Sequence, residues 1–278
     1  MIGQSPEDHG SRRRSDGSLA TGSAVRFVIP RPILAPAVFG LLIVCAWYLA
    51  AAYGGISPFV LPSPVRVIQV VWSSASALLD QARTTVFEAV IGLILAVVLG
   101  LILSVLMSLS AKAREALYPN LVVLQLIPKI ALAPLFIVWL GIGSESRLAF
   151  ALLLSFFPIL LASITGLTHT DAAAMRLCRS LLASERQIFF MVRLPYALPH
   201  IFGGIKIGAT MTMIGVVVGE FITGQKGLGY IVMFAAFNMD SPLMFAAILW
   251  LCGIGVAIYG AVVIVERLVQ RRFGQPVA

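Results

Sequence analysis

The chain has 278 residues, of which 59% are hydrophobic and 12% charged, and its net charge is +8 at pH 7. A soluble domain carries about 25% charged residues, so this composition excludes a soluble protein and indicates a polytopic membrane protein. The same positive charge would suggest a nucleic-acid partner in a soluble chain, but in a membrane protein it indicates basic cytoplasmic loops. The three cysteines, Cys45, Cys178 and Cys252, have no metal-like spacing.

The N-terminal region combines a polar tail with an apolar run. Residues 1–30 are predicted to be a disordered cytoplasmic tail, because the first 25 are rich in Ser, Gly and Arg. A cleaved signal peptide is an alternative, since Ala50-Ala51-Ala52 resembles a small-residue cleavage site. The apolar run 33–53 is too long for a signal-peptide core, and we interpret it as the first membrane span.

Six apolar stretches reach the length of about 20 residues that a membrane-spanning helix needs. We predict an all-α polytopic domain over residues 31–273, with spans at 33–53, 89–111, 118–142, 148–168, 199–221 and 241–265. Between the first two spans, the part after Pro64 predicts a short interfacial helix. Most of the 20 Lys and Arg residues fall in segments that are cytoplasmic if the N-terminus is inside, so both termini are predicted to be cytoplasmic.

The third predicted span contains an ionisable residue between two prolines. Pro128 and Pro134 leave backbone carbonyls unpaired, which is tolerated at membrane depth only inside protein or facing a cavity. Lys129 lies between them, and Gln125 precedes them. Gln125, Pro128, Lys129 and Pro134 are therefore candidates for the lining of a substrate path. The alternative is a kinked packing helix whose Lys129 extends toward the membrane interface.

A charged segment at residues 170–195 lies between the fourth and fifth spans. Thr170 or Asp171 is predicted to cap a first short helix whose apolar face holds Ala174, Leu177, Cys178, Leu181 and Leu182, with Arg176, Arg179 and Ser180 opposite. Ser184 and Gln187 fit a capping box that begins a second helix. Pro195 is predicted to end that helix, because proline lacks the backbone N–H.

This segment resembles the EAA loop of bacterial ABC-importer permeases, through R-S-L-x-A-S-x-x-Q-I-F-x-x-V-R-L-P-x-A-L-P. The resemblance implies that the first short helix is a coupling helix that docks on a cytoplasmic ATPase. The implied docking residues are Arg176, Leu177, Cys178, Arg179, Leu182, Ala183, Ser184 and Gln187. Arg176 and Leu182 stand where the family has Glu and Gly, so a left-handed Leu182 would cost about 1 kcal/mol or more. An ordinary basic loop is the alternative.

The fifth predicted span carries small residues at Gly204, Gly208, Gly215 and Gly219, a pattern that favours close helix packing in a homodimer or a tight bundle. Lys206 and Glu220 are about 21 Å apart along a helix and cannot pair with each other. Glu220 is a candidate for gating or lining the outer mouth of a path, or is a plain interfacial carboxylate, and Glu88 has the same two interpretations. Nucleotide binding and catalysis find no support in the sequence. Gly219-x4-Gly224 is not a P-loop, because Gln225 stands where Lys is needed. No catalytic constellation surrounds His9, His169 or His200.

The resemblance covers about residues 57–273, and P-K-I-A-L-A-P is similar to the permease subfamily that serves sulfonates, taurine, nitrate and thiamine or riboflavin precursors. It implies a non-catalytic type I ABC-importer permease in the bacterial inner membrane. The chain itself is expected to bind no cofactor, because ATP and Mg would be held by two copies of a partner ATPase. The other implied partners are a substrate-binding protein and a second permease copy. The alternative is a stand-alone secondary transporter or channel.

Overall fold

The computed structural model describes residues 31–170 and 172–273, and the predicted tail therefore lies outside the described residues. The described chain is helical: α1 Arg31–Tyr53, α2 Pro64–Ser73, α3 Ala75–Leu109, α4 Ala111–Gln125, a 3-10 turn Lys129–Leu132, α5 Ala133–Leu140, α6 Ser144–Thr168, α7 Ala172–Ser180, α8 Glu185–Ile188, a π turn Phe189–Arg193, α9 Leu194–Thr223, α10 Leu228–Phe237 and α11 Ser241–Arg272. The chain divides into two compact units, residues 1–45 and 46–278. The described part of the first unit is the beginning of α1, and all contacts below lie within the second.

Four helices are long and apolar enough to cross a membrane: α3, α6, the continuous helix Glu185–Thr223 and α11. The pair formed by α4 and residues 129–140 adds a fifth span if it is counted as one, although it is bent by 85°. The described side chains of α1 add a shorter apolar helix, Val38–Tyr53. The all-helical membrane fold is thus confirmed, whereas the predicted count of six spans is not.

Helices α6 and α9 form the centre of the bundle, and small residues on α9 permit their close approach. A Cβ atom added at Gly215 would lie 2.6 Å from the Cα of Ala151, and one at Gly204 would lie 2.7 Å from the Cβ of Ala162. The glycine face predicted from the sequence therefore packs against α6 of the same chain, which favours the tight-bundle interpretation over the homodimer interpretation for this face.

The short helices α2 and α10 pack with α11 at the end of the bundle opposite α7. Ser63 caps α2 by accepting a hydrogen bond from the backbone N–H of Arg66 at 3.3 Å, and Pro64 occupies the first helical position, where its missing N–H costs nothing. Val67, Leu78 and Leu228 are completely or almost completely buried in a common apolar cluster. The helix predicted after Pro64 is present, and it packs in the same apolar cluster as the beginnings of α3 and α10.

Candidate functional site

The predicted helix–corner–helix segment is present, and its corner is a Schellman motif. Helix α7 ends with the N–H of Ala183 donating to the carbonyl of Cys178 at 3.0 Å and the N–H of Leu182 donating to that of Arg179 at 3.0 Å. Leu182 has φ of +57°, the left-handed conformation that this motif normally gives to glycine. A side chain in this conformation costs about 1–2 kcal/mol, so the corner is built as in the glycine form and is strained.

The second helix begins with the predicted capping box. The backbone N–H of Ser184 donates to Oε1 of Gln187 at 2.8 Å, and the N–H of Gln187 donates to Oγ of Ser184 at 3.3 Å. These two side chains therefore fix the shape of the corner. Of the two predicted caps of α7, Asp171 lies outside the described residues. Oγ1 of Thr170 has no hydrogen-bond partner among the residues described, so Thr170 is not the cap.

The prediction that Pro195 ends the second helix is wrong. Helix α8 continues through the π turn 189–193 into α9, and together they form the continuous helix Glu185–Thr223 of 39 residues. The π turn changes the hydrogen-bond register immediately before Pro195, so the proline falls in the first turn of α9, where a backbone N–H is dispensable. The corner is therefore joined without a break to the central helix of the bundle.

The apolar residues of the corner are exposed to solvent. The exposed fractions are 62% for Leu177, 72% for Leu181 and 92% for Leu182, whereas Ile188 beneath them is buried. Arg176 and Arg179 are also exposed, and Cys178 and Ala183 are half-buried. The predicted docking residues thus form one continuous corner with leucines at its tip, and a cluster of exposed leucines indicates a surface for a partner.

The proline segment of the third predicted span is a break between two helices. Helix α4 ends at Gln125, and Pro134 lies in the first turn of α5, so neither helix contains the strain of an interior proline at this point. Lys129 is half-buried, donates from Nζ to the carbonyl of Gln125 at 2.9 Å and lies 5.2 Å from the ring centroid of Phe157. A cation bound to the last carbonyls of a helix is stabilised by the helix dipole. Lys129 therefore links the 3-10 turn to the C-terminal end of α4.

Glu220 is completely buried, which corrects its interpretation as an interfacial carboxylate. Its Oε1 accepts a hydrogen bond from Oγ1 of Thr85 at 2.7 Å, and its Oε2 accepts one from the N–H of Gly229 at 2.7 Å. The N–H of Leu228 donates to Oγ1 of Thr85 at 2.9 Å, and that of Gly227 donates to the side chain of Gln81 at 2.8 Å. The first N–H groups of α10 are therefore satisfied by side chains of α3 and α9.

Glu88 and Arg147 form a buried ion pair that the sequence analysis missed. Nε of Arg147 donates to Oε1 and Oε2 of Glu88 at 3.0 and 2.8 Å, and Nη1 donates to Oγ1 of Thr223 at 3.1 Å. Only 1% of Glu88 and 5% of Arg147 is exposed. The signal available in the sequence was that both residues precede predicted spans on the same side of the membrane, which does not by itself indicate a contact.

We define the polar core as Gln81, Thr85, Glu88, Arg147, Glu220 and Thr223. It joins α3, α6, α9 and α10 at the end of the bundle opposite α7. Glu88 and Arg147 pair with each other, and Glu220 accepts two hydrogen bonds. These contacts offset the desolvation cost of burying the three charges. Nearer the α7 end, Lys206 of α9 pairs with Glu266 of α11 at 2.9 Å, so the lysine that interrupts the fifth predicted span is also paired.

Among the described residues, no group of three or more His, Cys, Asp and Glu residues could hold a metal ion. The described residues form an exposed apolar corner at one end, a hydrogen-bonded polar core at the other and a continuous helix between them. These features, together with several helices long and apolar enough to cross a membrane, define a polytopic membrane protein with an exposed apolar corner at one end.

The chain belongs to the family described as "binding-protein-dependent transport system inner membrane component", whose model matches residues 92–271. It is 34% identical to a probable ABC transporter permease of Haemophilus influenzae, over 82% of this chain and 93% of the relative. It is 34% identical to a formylaminopyrimidine transport permease of Halalkalibacterium halodurans (84% and 94%) and 35% identical to a riboflavin transport permease of Chloroflexus aurantiacus (86% and 90%). The chain is therefore a multi-pass permease subunit of a binding-protein-dependent ABC transporter, and the alternative of a stand-alone transporter is set aside.

Proposed function

We propose that α7, with its corner, is the coupling helix of an ATP-driven importer and docks on the cytoplasmic ATPase subunit. The observation that carries the proposal is the exposed leucine tip, Leu177, Leu181 and Leu182, held in one shape by the Schellman motif and the capping box. A preorganised apolar tip loses little conformational entropy on docking. The surrounding arginines Arg176 and Arg179 supply a charged rim that favours one orientation of the partner.

The continuous helix Glu185–Thr223 provides the route by which ATPase motion reaches the membrane. It has 39 residues, and a helix of that length spans about 58 Å. It runs from the capping box to Thr223 of the polar core and packs along α6 on the way. When two ATPase copies close on ATP and Mg, movement of the corner would thus be passed to the opposite end of the bundle and change the side to which the path opens.

The rest of the assembly follows from the family. We propose two ATPase copies, a substrate-binding protein and a second copy of this permease as a homodimer partner, in an inner membrane with both termini cytoplasmic. The chain holds no cofactor of its own in this proposal. The break at Gln125, Pro128, Lys129 and Pro134 is proposed to line the path, since the side chains of Gln125, Pro128 and Pro134 are exposed. Glu220 is proposed to stabilise the far end of that path through the polar core.

The cargo is proposed at the level of a class: a small organic solute or anion such as a pyrimidine or riboflavin precursor, a sulfonate or nitrate. Support comes from the names of relatives, which include formylaminopyrimidine and riboflavin permeases at 34% and 35% identity and aliphatic sulfonate permeases at 30% and 32%. These identities lie too close together to select one cargo, so the cognate substrate-binding protein should be screened with each class.

The test is purification of the tagged chain from its host in mild detergent, with identification of co-purifying subunits and measurement of ATP hydrolysis. Leu177→Glu and Leu181→Glu should each abolish recovery of the ATPase, because they bury a charge in an apolar contact. Phe59→Glu is the matched control: Phe59 is 70% exposed, lies before α2 away from the corner, and should leave recovery unchanged. Stoichiometric ATPase with both corner variants would contradict the proposal.

A further inference from the structure

Arg114, at the α7 end of the bundle, forms no ion pair within the part of the chain that the structure describes. It lies in the first turn of α4, where Ser110 caps the helix, and it is half-buried. Its guanidinium makes no hydrogen bond or ion pair with any described residue. An arginine withdrawn from water in this way has five N–H donors and a charge to satisfy, which favours an oxyanion as its partner.

Two neighbouring cavities meet at Arg114. The first, about 580 Å³, is bounded by α4 and α6 through residues that include Tyr118, Pro119, Ile164 and His169. The second, about 420 Å³, lies between the ends of α3 and α6 and the helices α7 and α8, and its lining also includes Thr170 and Arg193. The first cavity has a mainly apolar wall with Glu115 at its edge, whereas the second is lined about equally by apolar side chains and by polar groups that include two arginines, hydroxyls and Glu185. The two together therefore offer an amphipathic site with Arg114 at the junction.

The charges of the second cavity leave a surplus of positive charge. Arg193 is paired with Glu185 at 3.4 Å, and Glu185 is largely exposed, with 71% of its side chain open to solvent. The buried Oγ1 of Thr170 has no hydrogen-bond partner among the described residues. Arg114 and this hydroxyl are thus the available donors around one space, with Arg193 adding the donors that Glu185 does not occupy, and this set matches the oxygens of a phosphate group.

We propose that Arg114 binds a phosphate-type oxyanion at this junction, either the headgroup phosphate of an anionic phospholipid or the phosphate of a free solute. A lipid would place its phosphate in the second cavity and its acyl chain along the apolar wall formed by Pro119 and Ile164. Basic pockets between membrane helices bind anionic headgroups in this manner. Met175 of α7 and Glu185 of α8 also line the second cavity, so an occupant would fix the corner against α3 and α4; this regulatory consequence, unlike the binding itself, rests on the proposed function.

The test uses the full chain purified in detergent, with lipid adducts counted by native mass spectrometry at increasing phosphatidylglycerol or phosphatidylcholine. Arg114→Gln should weaken phosphatidylglycerol binding by at least about tenfold, the value expected for loss of a hydrogen bond to a charged group. Lys112→Gln is the matched control, because Lys112 is exposed two residues earlier and lines neither cavity. Arg114→Lys, which keeps the charge and loses the planar fork, should give an intermediate affinity and serves if Arg114→Gln does not fold.

A second arm separates the two sources of phosphate. The chain is placed in phosphatidylcholine nanodiscs, and its melting temperature is measured with inorganic phosphate or with chloride at equal ionic strength. A rise with phosphate that is lost in Arg114→Gln and kept in Lys112→Gln supports a free solute, whereas selective phosphatidylglycerol adducts support the lipid. Equal loss in the Arg114 and Lys112 variants, or no ligand that distinguishes Arg114→Gln from the natural chain, overturns the proposal. Neither readout needs the ATPase or transport, so failure here is distinct from failure of the proposed function.

Discussion

Removing one partner of the Glu88–Arg147 pair should destabilise the bundle severely. Glu88→Gln removes the carboxylate that accepts three hydrogen bonds from Nε and Nη2 of Arg147 and leaves that guanidinium, 5% exposed, with Thr223 as its main partner. Leaving one buried charge unpaired in this way costs about 3–5 kcal/mol, a large part of the 5–15 kcal/mol that stabilises a typical domain. The expected result is a matching loss in the free energy of unfolding, measured by steric trapping in bicelles.

The double variant Glu88→Leu with Arg147→Met tests whether the loss of stability comes from one unpaired buried charge or from loss of the ion pair itself. Replacing both partners by apolar side chains of similar volume removes the desolvation cost, so stability should return to within about 1 kcal/mol of the natural chain or exceed it. Thr223 remains satisfied, because its Oγ1 also donates to the carbonyl of Gly219 at 2.9 Å. Glu185→Gln is the control at an exposed pair and should cost no more than about 1 kcal/mol. A single variant that is as stable as the double variant would refute the reasoning.

Three further predictions concern the corner, the central helix pair and the break. Leu182→Gly should stabilise the corner by about 1 kcal/mol, seen as slower amide hydrogen exchange across residues 178–184, because it removes left-handed strain from a side chain that is 92% exposed; faster exchange would contradict this. Gly215→Ala should lower the melting temperature, since its Cβ would lie 2.6 Å from the Cα of Ala151, whereas Gly203→Ala, which faces open space, should not; equal effects would contradict the packing argument. Lys129→Ala should slow transport in reconstituted vesicles while ATPase assembly is retained, and loss of assembly would show that its role is structural only.

Features that depend on nearby residues could be predicted from the sequence. The capping box needs only Ser184 and Gln187, three positions apart, and both of its hydrogen bonds are present. The strain at Leu182 is one of the two outcomes that the sequence allows, because a helix end of this type requires a left-handed residue whatever its identity. The docking and path residues stay predictions, since their roles concern partners and motion rather than the conformation of the chain.

Features that depend on distant residues could not be predicted. Glu88 and Arg147 are 59 positions apart, and Lys206 and Glu266 are 60 apart. No periodicity specifies which helices become neighbours, so the sequence does not indicate that these charged residues form ion pairs. The incorrect prediction that Pro195 ends a helix has another cause. A π turn has no clear sequence signature, and without that turn the proline is expected to end the helix.

The capping of α10 determines which parts of the bundle can move separately. Gln81 and Thr85 of α3 and Glu220 of α9 accept hydrogen bonds from the first N–H groups of α10, so separating α3 from α9 would leave some of these donors without their acceptors. Each orphaned donor would cost about 1–3 kcal/mol. A motion in which α3, α9 and α10 move together as one rigid unit keeps these hydrogen bonds and avoids this free-energy cost. The 85° break between α4 and residues 129–140 lies outside this hydrogen-bonded unit, and the Lys129 side chain bonds across it to the end of α4.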